Sequence, residues 1–298
     1  MAVSATRELR LFADVRWGRL AKGFFLTAVL SLSVHVVMTD ILHVPYPDQT
    51  VKAWLPFRLA TDFAMAWGAI WLYGCIHTAL QQRSRALSAI ILFLLMCGLN
   101  ETLRGWFMNA YCGVPHLASA AFLALTGLAG ALSYATTVAL AALGWRYMET
   151  GWQKAAGILI LGLLLTFAIN PLVSLAQQGI AAHFQYLAPT HGWCEMPYGL
   201  NVQIPSYATF VEPALACLFC AAFSWRYLPG GLWTKTLVFT LLILALKQQL
   251  FAAFIYAFYA KLPFWTALSS MGQFSLEAAA LGLLTALSGR GRRVSSEQ

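Results

Sequence analysis

The sequence predicts an all-α polytopic membrane protein of about eight transmembrane helices, arranged as a 4+4 tandem repeat with both termini cytoplasmic (N-in/C-in). Three observations carry this expectation. The 298 residues are 60% hydrophobic and 10% charged, with a mean hydropathy of +0.67, whereas soluble domains carry about 25% charged residues. Eight apolar stretches are each long enough for a hydrocarbon core that takes roughly 20 helical residues to cross. Lys and Arg collect on one side of those stretches.

In chain order, residues 1–21 form a basic cytoplasmic segment in which Arg7, Arg10, Arg16 and Arg19 alternate with Leu9, Leu11, Phe12 and Trp17. It reads as an amphipathic helix on the membrane surface, or as a basic flank that only fixes orientation. The first four-helix repeat, 22–147, holds expected spans at 22–40, 57–80, 86–111 and 117–145. No small-x-small cleavage site follows the first, so it reads as a retained helix. The second repeat, 148–288, holds spans at 154–178, 207–227, 235–260 and 264–288, and a basic tail, 289–298, follows. Asn170-Pro171 falls inside the fifth span, where a proline kinks a helix. The loop 179–206 is rich in aromatics and reads as a lid over the outer mouth or as an ordinary surface loop.

With the N-terminus inside, 14 of the 19 Lys and Arg lie on the inner side and 3 on the outer, while Arg104 and Lys247 lie within the spans. That asymmetry sets the orientation and points to a bacterial inner (plasma) membrane. The net charge of +8 sits at helix ends, where it meets anionic lipid rather than nucleic acid. The expected partners are the lipid bilayer and a small-molecule or ion substrate. The oligomeric state stays open.

The repeat is legible at an offset of 147 residues. Leu94, Leu95, Leu99, Leu103, Phe107 and Ala110 each find an identical residue there, six matches in 17 positions, and Asn100-Glu101 falls opposite Lys247-Gln248. At an offset of 150, Thr61-Asp62-Phe63-Ala64 corresponds to Val211-Glu212-Pro213-Ala214. Four helices per copy point both halves the same way, about an axis along the membrane normal.

The candidate substrate or ion site follows from charge placed where lipid should be. Asp62, Glu101, Arg104, Glu212, Lys247 and Glu277 all fall within expected spans, with Asn100 and Gln248 beside them. Each charge costs on the order of 2.5–3.5 kcal/mol at mid-membrane, so each should face the interior and find a partner. Glu101 and Arg104, three apart, would share a helix face. The set serves a site, or else a lattice that only fixes helix packing. No cofactor or metal is expected: His35 and His77 lie at opposite depths, Cys217 and Cys220 read as packing, and the outer histidines have no ligand spacing. Cys112 and Cys194 fall on the outer side, where a disulfide between them can form.

Asn100-Glu-Thr-Leu-Arg104-Gly105 is similar over six residues to the EExxxRG motif of the CAAX-type intramembrane proteases. It has one carboxylate, not two, its Arg spacing is one short, and neither FxxxH nor HxxxN occurs. The histidines that would carry that family's chemistry are missing. The function expected is transport or export of a small solute, with ion or proton coupling, at a buried polar site between the repeats. An intramembrane enzyme acting on a lipid or isoprenoid-linked substrate and a non-catalytic assembly or immunity subunit remain the alternatives.

Overall fold

The computed structural model describes residues 17–52, 54–81, 84–195 and 198–288. The expected surface segment therefore lies outside the described residues as far as residue 16, and so does the basic tail 289–298. Helix α1 (Trp17–Val36) ends in a π-helical turn, Val37–Ile41. A short α2 (Gln49–Lys52) leads to α3 (Leu55–Ala79), which Pro56 opens from a first-turn position that needs no N–H. Helix α4 (Arg85–Leu99) starts at Ser84, whose hydroxyl accepts the Leu87 N–H at 3.2 Å. Then come α5 (Thr102–Cys112), β1 (Gly113–Val114) and α6 (His116–Gly144). Helix α7 (Gly151–Leu164) opens on a Thr150/Gln153 capping box and passes through a π turn, Leu165–Ile169, into α8 (Asn170–His183). The chain closes with β2 (His191–Gly192), α9 (Leu200–Thr209), α10 (Val211–Ser224), α11 (Leu232–Leu246), α12 (Ala252–Tyr259) and α13 (Phe264–Ser288).

Among the described residues, six helical segments are long and apolar enough to cross a membrane: Lys22–Ile41, Leu55–Ala79, Arg85–Cys112, His116–Tyr147, Gly151–His183 and Leu200–Tyr227. Two of the expected spans are divided at polar residues. The stretch 235–260 is divided into α11 and α12, and 86–111 into α4 and α5. Both divisions fall at polar residues, Asn100-Glu101 and Lys247-Gln248-Gln249.

Helix α3 runs through the middle and packs against α4, α6, α7, α10 and α11. Its Met65, Leu72, Tyr73 and Ile76 are wholly buried. Helices α1 and α13 pair along one flank, and α6 pairs with α8 along another. Gly98 of α4 lets α10 approach, since a Cβ there would stand 2.9 Å from that of Ala216. The outer surface is the inverse of a soluble protein's: Leu117, Trp152, Phe258 and Trp265 are each at least 73% exposed. Such a surface is stable only against hydrocarbon.

One end of the bundle is tied by a strap. β1 pairs antiparallel with β2, setting Gly113 opposite Gly192 and Val114 opposite His191. Beside this pair Cys112 and Cys194 are disulfide-bonded, with Cα atoms 5.3 Å apart, and the Trp193 indole donates to the Tyr111 carbonyl at 2.6 Å. Because α8 continues to His183 and α9 begins at Leu200, the loop expected over 179–206 shortens to residues 184–199. Alkylation of the unreduced protein should leave Cys112 and Cys194 unlabelled, with both labelled after reduction. Modification of either thiol before reduction would contradict the bond.

Candidate functional site

The polar centre forms where two helices are interrupted. At the end of α4, Asn100 and Glu101 donate their N–H groups to the carbonyls of Met96 and Gly98. Glu101 then turns into the left-handed region at φ 58° before α5 begins. At the end of α11, Lys247 and Gln248 donate to Ile243 and Ala245, and Gln248 also sits at φ 58°. A left-handed non-glycine residue costs about 1–3 kcal/mol, so surrounding structure must hold it there. Here each break meets the other. The Asn100 amide donates both to its own Met96 carbonyl at 2.9 Å and to the Leu246 carbonyl of α11 at 3.1 Å.

The charges follow from the same crossing. Lys247 Nζ donates to Glu101 Oε1 at 2.5 Å, and Arg104 Nη1 pairs with Glu101 Oε2. Glu277, from α13, stands 3.7 Å from Lys247 Nζ. Arg104, Glu101, Lys247 and Glu277 thus alternate in sign and sum to zero. The expected shared helix face for Glu101 and Arg104 is corrected. Glu101 precedes α5 in a left-handed turn, and its carboxylate reaches back to Arg104 from there.

Glu212 answers a backbone need. The first N–H groups of α5 have no partner within their own helix. Glu212 Oε1 accepts from the Leu103 N–H at 3.0 Å and Oε2 from the Arg104 N–H at 2.5 Å. A carboxylate at a helix N-terminus is also favoured by the dipole. Arg104 lies over the Phe210 ring, 5.3 Å from its centroid.

Asp62 belongs to a second polar centre, at the π turn Leu165–Ile169. The π turn redirects the Asn170 N–H to the Leu165 carbonyl, which leaves the Thr166 carbonyl free of its usual helical donor. Arg58 Nη2 takes that carbonyl. The Thr166 hydroxyl donates to Asp62 Oδ2 at 2.9 Å and the Asn170 amide to Oδ1 at 3.0 Å. Ser133 in turn holds Asn170 Oδ1 at 2.6 Å. The structure thus joins Asp62 to the π turn ahead of Asn170-Pro171 rather than to Glu101. Gln248 turns towards α3, its amide nitrogen 3.2 Å from Met65 Sδ. His77 is buried beside Ser88, 3.2 Å away, and stacks on Tyr73.

A cavity of about 250 Å³ opens beside Arg104, between α1 with its π turn, α5 and α9. Its polar lining includes His35, Asp40, Tyr46, Asn109, Tyr198 and Gln203, none of which sequence reasoning assigned to a site. His35 Nε2 meets the Tyr46 hydroxyl at 2.8 Å, and burial pushes that phenol above its ordinary range. The signal was present in the helical spacing of His35 and Thr39-Asp40, but no local pattern marks their partners, Tyr46 of the following loop and Gln203 of α9. A second, apolar groove of about 790 Å³ opens between α4 and α10, beside Glu212.

No protein-family model, curated protein or solved structure matches this chain. Fold and site together define its class: a multi-spanning helical membrane protein with buried polar and charged residues, among them Asp62, His77, Lys247 and Glu277.

Removing one member of a buried ion pair leaves an uncompensated charge, which costs about 3–5 kcal/mol. Glu101→Gln and Lys247→Gln should each lower thermal stability in detergent by a loss of that order. The double variant should lose less than the sum of the two. Additive losses would show that the two side chains do not interact.

Proposed function

We propose that the protein transports or exports a small solute across the bacterial inner membrane, with ion or proton coupling. In this reading both termini are cytoplasmic, and the halves 22–147 and 148–288 are related by an axis along the membrane normal. The observation that carries it is the pair of breaks at Glu101 and Gln248, 147 positions apart and both at φ 58°, tied together by Lys247 and Asn100. Discontinuous helices meeting at charged side chains near mid-membrane are how many transporters expose backbone and charge to a solute. The packing supports the same relation. α1 lies against α13 as α8 lies against α6, and α11 meets α3 as α4 meets α10.

Glu101, Arg104 and Lys247 line the solute path in this reading, with Asn100 and Gln248 shaping the breaks. Asp62, Glu212 and Glu277 are the coupling carboxyls. Glu277 suits that role best, because Glu101 and Glu277 share one ammonium and a proton gained there shifts the balance around Lys247. The apolar groove beside Glu212 is the opening an intramembrane enzyme would need. Both Glu212 oxygens already accept α5 amides, and among the described residues no histidine or second carboxylate lines the groove to make an acid–base pair.

Transport requires the central cavity to open in turn to both sides. With the free cysteines replaced and the disulfide kept, Met108→Cys should react with an impermeant maleimide in right-side-out and in inside-out vesicles. Reaction from one side alone would exclude transport. Reporter fusions after residues 50, 115, 195 and 261 should read outside, and those after 150 and 230 inside. A reversed pair would break the four-plus-four arrangement.

A further inference from the structure

The cavity beside Arg104 is built as a ladder of polar groups along parallel helices. On α1 and its π turn the lining residues are Leu32, His35, Val36, Thr39 and Asp40, and on α5 they run from Arg104 to Cys112. Both segments climb towards the disulfide end. The level of each is fixed by antiparallel α9 and the start of α10: Tyr207 bonds Ser33 at 2.8 Å, Ser206 meets Met108 at 3.8 Å, and Phe210 lies against Arg104. Arg104 therefore stands at the floor of this ladder and Asp40 at its top, nearer the disulfide end. Gln203, which bonds Asp40, and Phe210, which lies against Arg104, are seven residues apart, about 10 Å at 1.5 Å per residue.

Each end has unmet chemistry. Arg104 spends Nη1 on Glu101, while its Nε is buried without a hydrogen-bond partner. His35, between the two levels, has a buried Nδ1 that is likewise unpartnered. At the other end, among the described residues, Asp40 accepts from the Thr39 hydroxyl at 3.4 Å and the Gln203 amide at 3.2 Å. Among the described residues no cation pairs with it; the three ion pairs found all belong to the Glu101–Lys247 cluster. A ligand entering this cavity would supply partners to the two buried nitrogens, Arg104 Nε and His35 Nδ1, and to the half-buried Asp40 carboxylate.

Charge balance selects the ligand. The Arg104–Glu101–Lys247–Glu277 chain is already neutral, so a net anion entering at Arg104 adds a second negative charge below Asp40. A simple cation neutralises Asp40 but leaves the floor groups unsatisfied. A molecule carrying both charges, set apart along its length, meets both ends and leaves the total unchanged. At about 250 Å³ the cavity lies below the roughly 300–1,000 Å³ usual for ligand pockets, so the molecule is small.

We propose that this cavity binds a small zwitterionic solute lengthwise, its acidic group at Arg104 and His35 and its ammonium group at Asp40. The proposal rests on the transport reading and names the class of solute. The test is calorimetric titration of the full chain in lipid nanodiscs with 5-aminopentanoate, pentanoate, pentylamine and glycine. The expected result is that 5-aminopentanoate binds at least tenfold more tightly than each of the other three. Asp40→Asn, checked for unchanged thermal stability, should reduce its affinity to that of pentanoate. Equal binding of a singly charged probe or of glycine, or no binding by any probe, would overturn the proposal. So would an Asp40→Asn variant of unaltered affinity. The maleimide experiment is independent of this ligand. Two-sided labelling without binding removes only the solute class, and binding with one-sided labelling removes only transport.

Discussion

The bond from Lys247 to Glu101 joins two helices at the points where each is interrupted, and it constrains both at once. A lysine in an apolar bundle needs a carboxylate, and a carboxylate in the left-handed turn after α4 needs donors. At 2.5 Å Lys247 supplies one, and Arg104 supplies the other from the next helix. The backbone follows the same logic. A break frees carbonyls and amides that lipid cannot satisfy, so partners must come from inside the protein. Asn100 supplies the donor for Leu246, and Glu212 accepts the amides that start α5. Because the partners lie on different helices, the crossing of α4, α5, α10 and α11 is fixed by polar bonds as much as by packing.

The π turn before Asn170 uses the same kind of arrangement with different residues. It releases the Thr166 carbonyl to Arg58, and the Thr166 hydroxyl and Asn170 amide turn to Asp62. Asp62 and Glu212 therefore each hold an irregular stretch of a neighbouring span, though by different donors. Irregular backbone at membrane depth is tolerated where it is buried in protein or lines a cavity. The interrupted helices around Arg104 do both, and this is why a polar cavity fits there without exposing backbone to lipid.

Much of this was legible in the sequence, because membrane insertion penalises every buried charge and so makes each conspicuous. Glu101, Arg104, Lys247 and Glu277 stand out against apolar neighbours, and the structure brings these four together. Hydropathy alone could not reveal the division of 86–111 and 235–260. Leu, Ala and Phe on both sides of each break are equally apolar, and only the polar dipeptides mark the place. Glu212 was visible as a charge, whereas its service to the α5 amides depends on a helix crossing that no local pattern encodes. The cavity residues Asp40, Tyr46, Tyr198 and Gln203 lie near span ends, where polar groups are ordinary. Their meaning comes from the convergence of α1, α5 and α9.

The central claim is that the two interrupted helices are held together through the Lys247 ammonium and the Glu101 carboxylate. The most direct measurement is a magic-angle-spinning NMR dipolar recoupling experiment on protein in bilayers, with lysine Nζ labelled by nitrogen-15 and glutamate Cδ by carbon-13. Among the described residues, every Lys–Glu ion pair involves Lys247. Dephasing should therefore report a contact on the order of 4 Å. It should vanish in Lys247→Gln and weaken markedly in Glu101→Gln. Absence of a close Lys–Glu contact in the unaltered protein, or one that survives Lys247→Gln, would contradict the account.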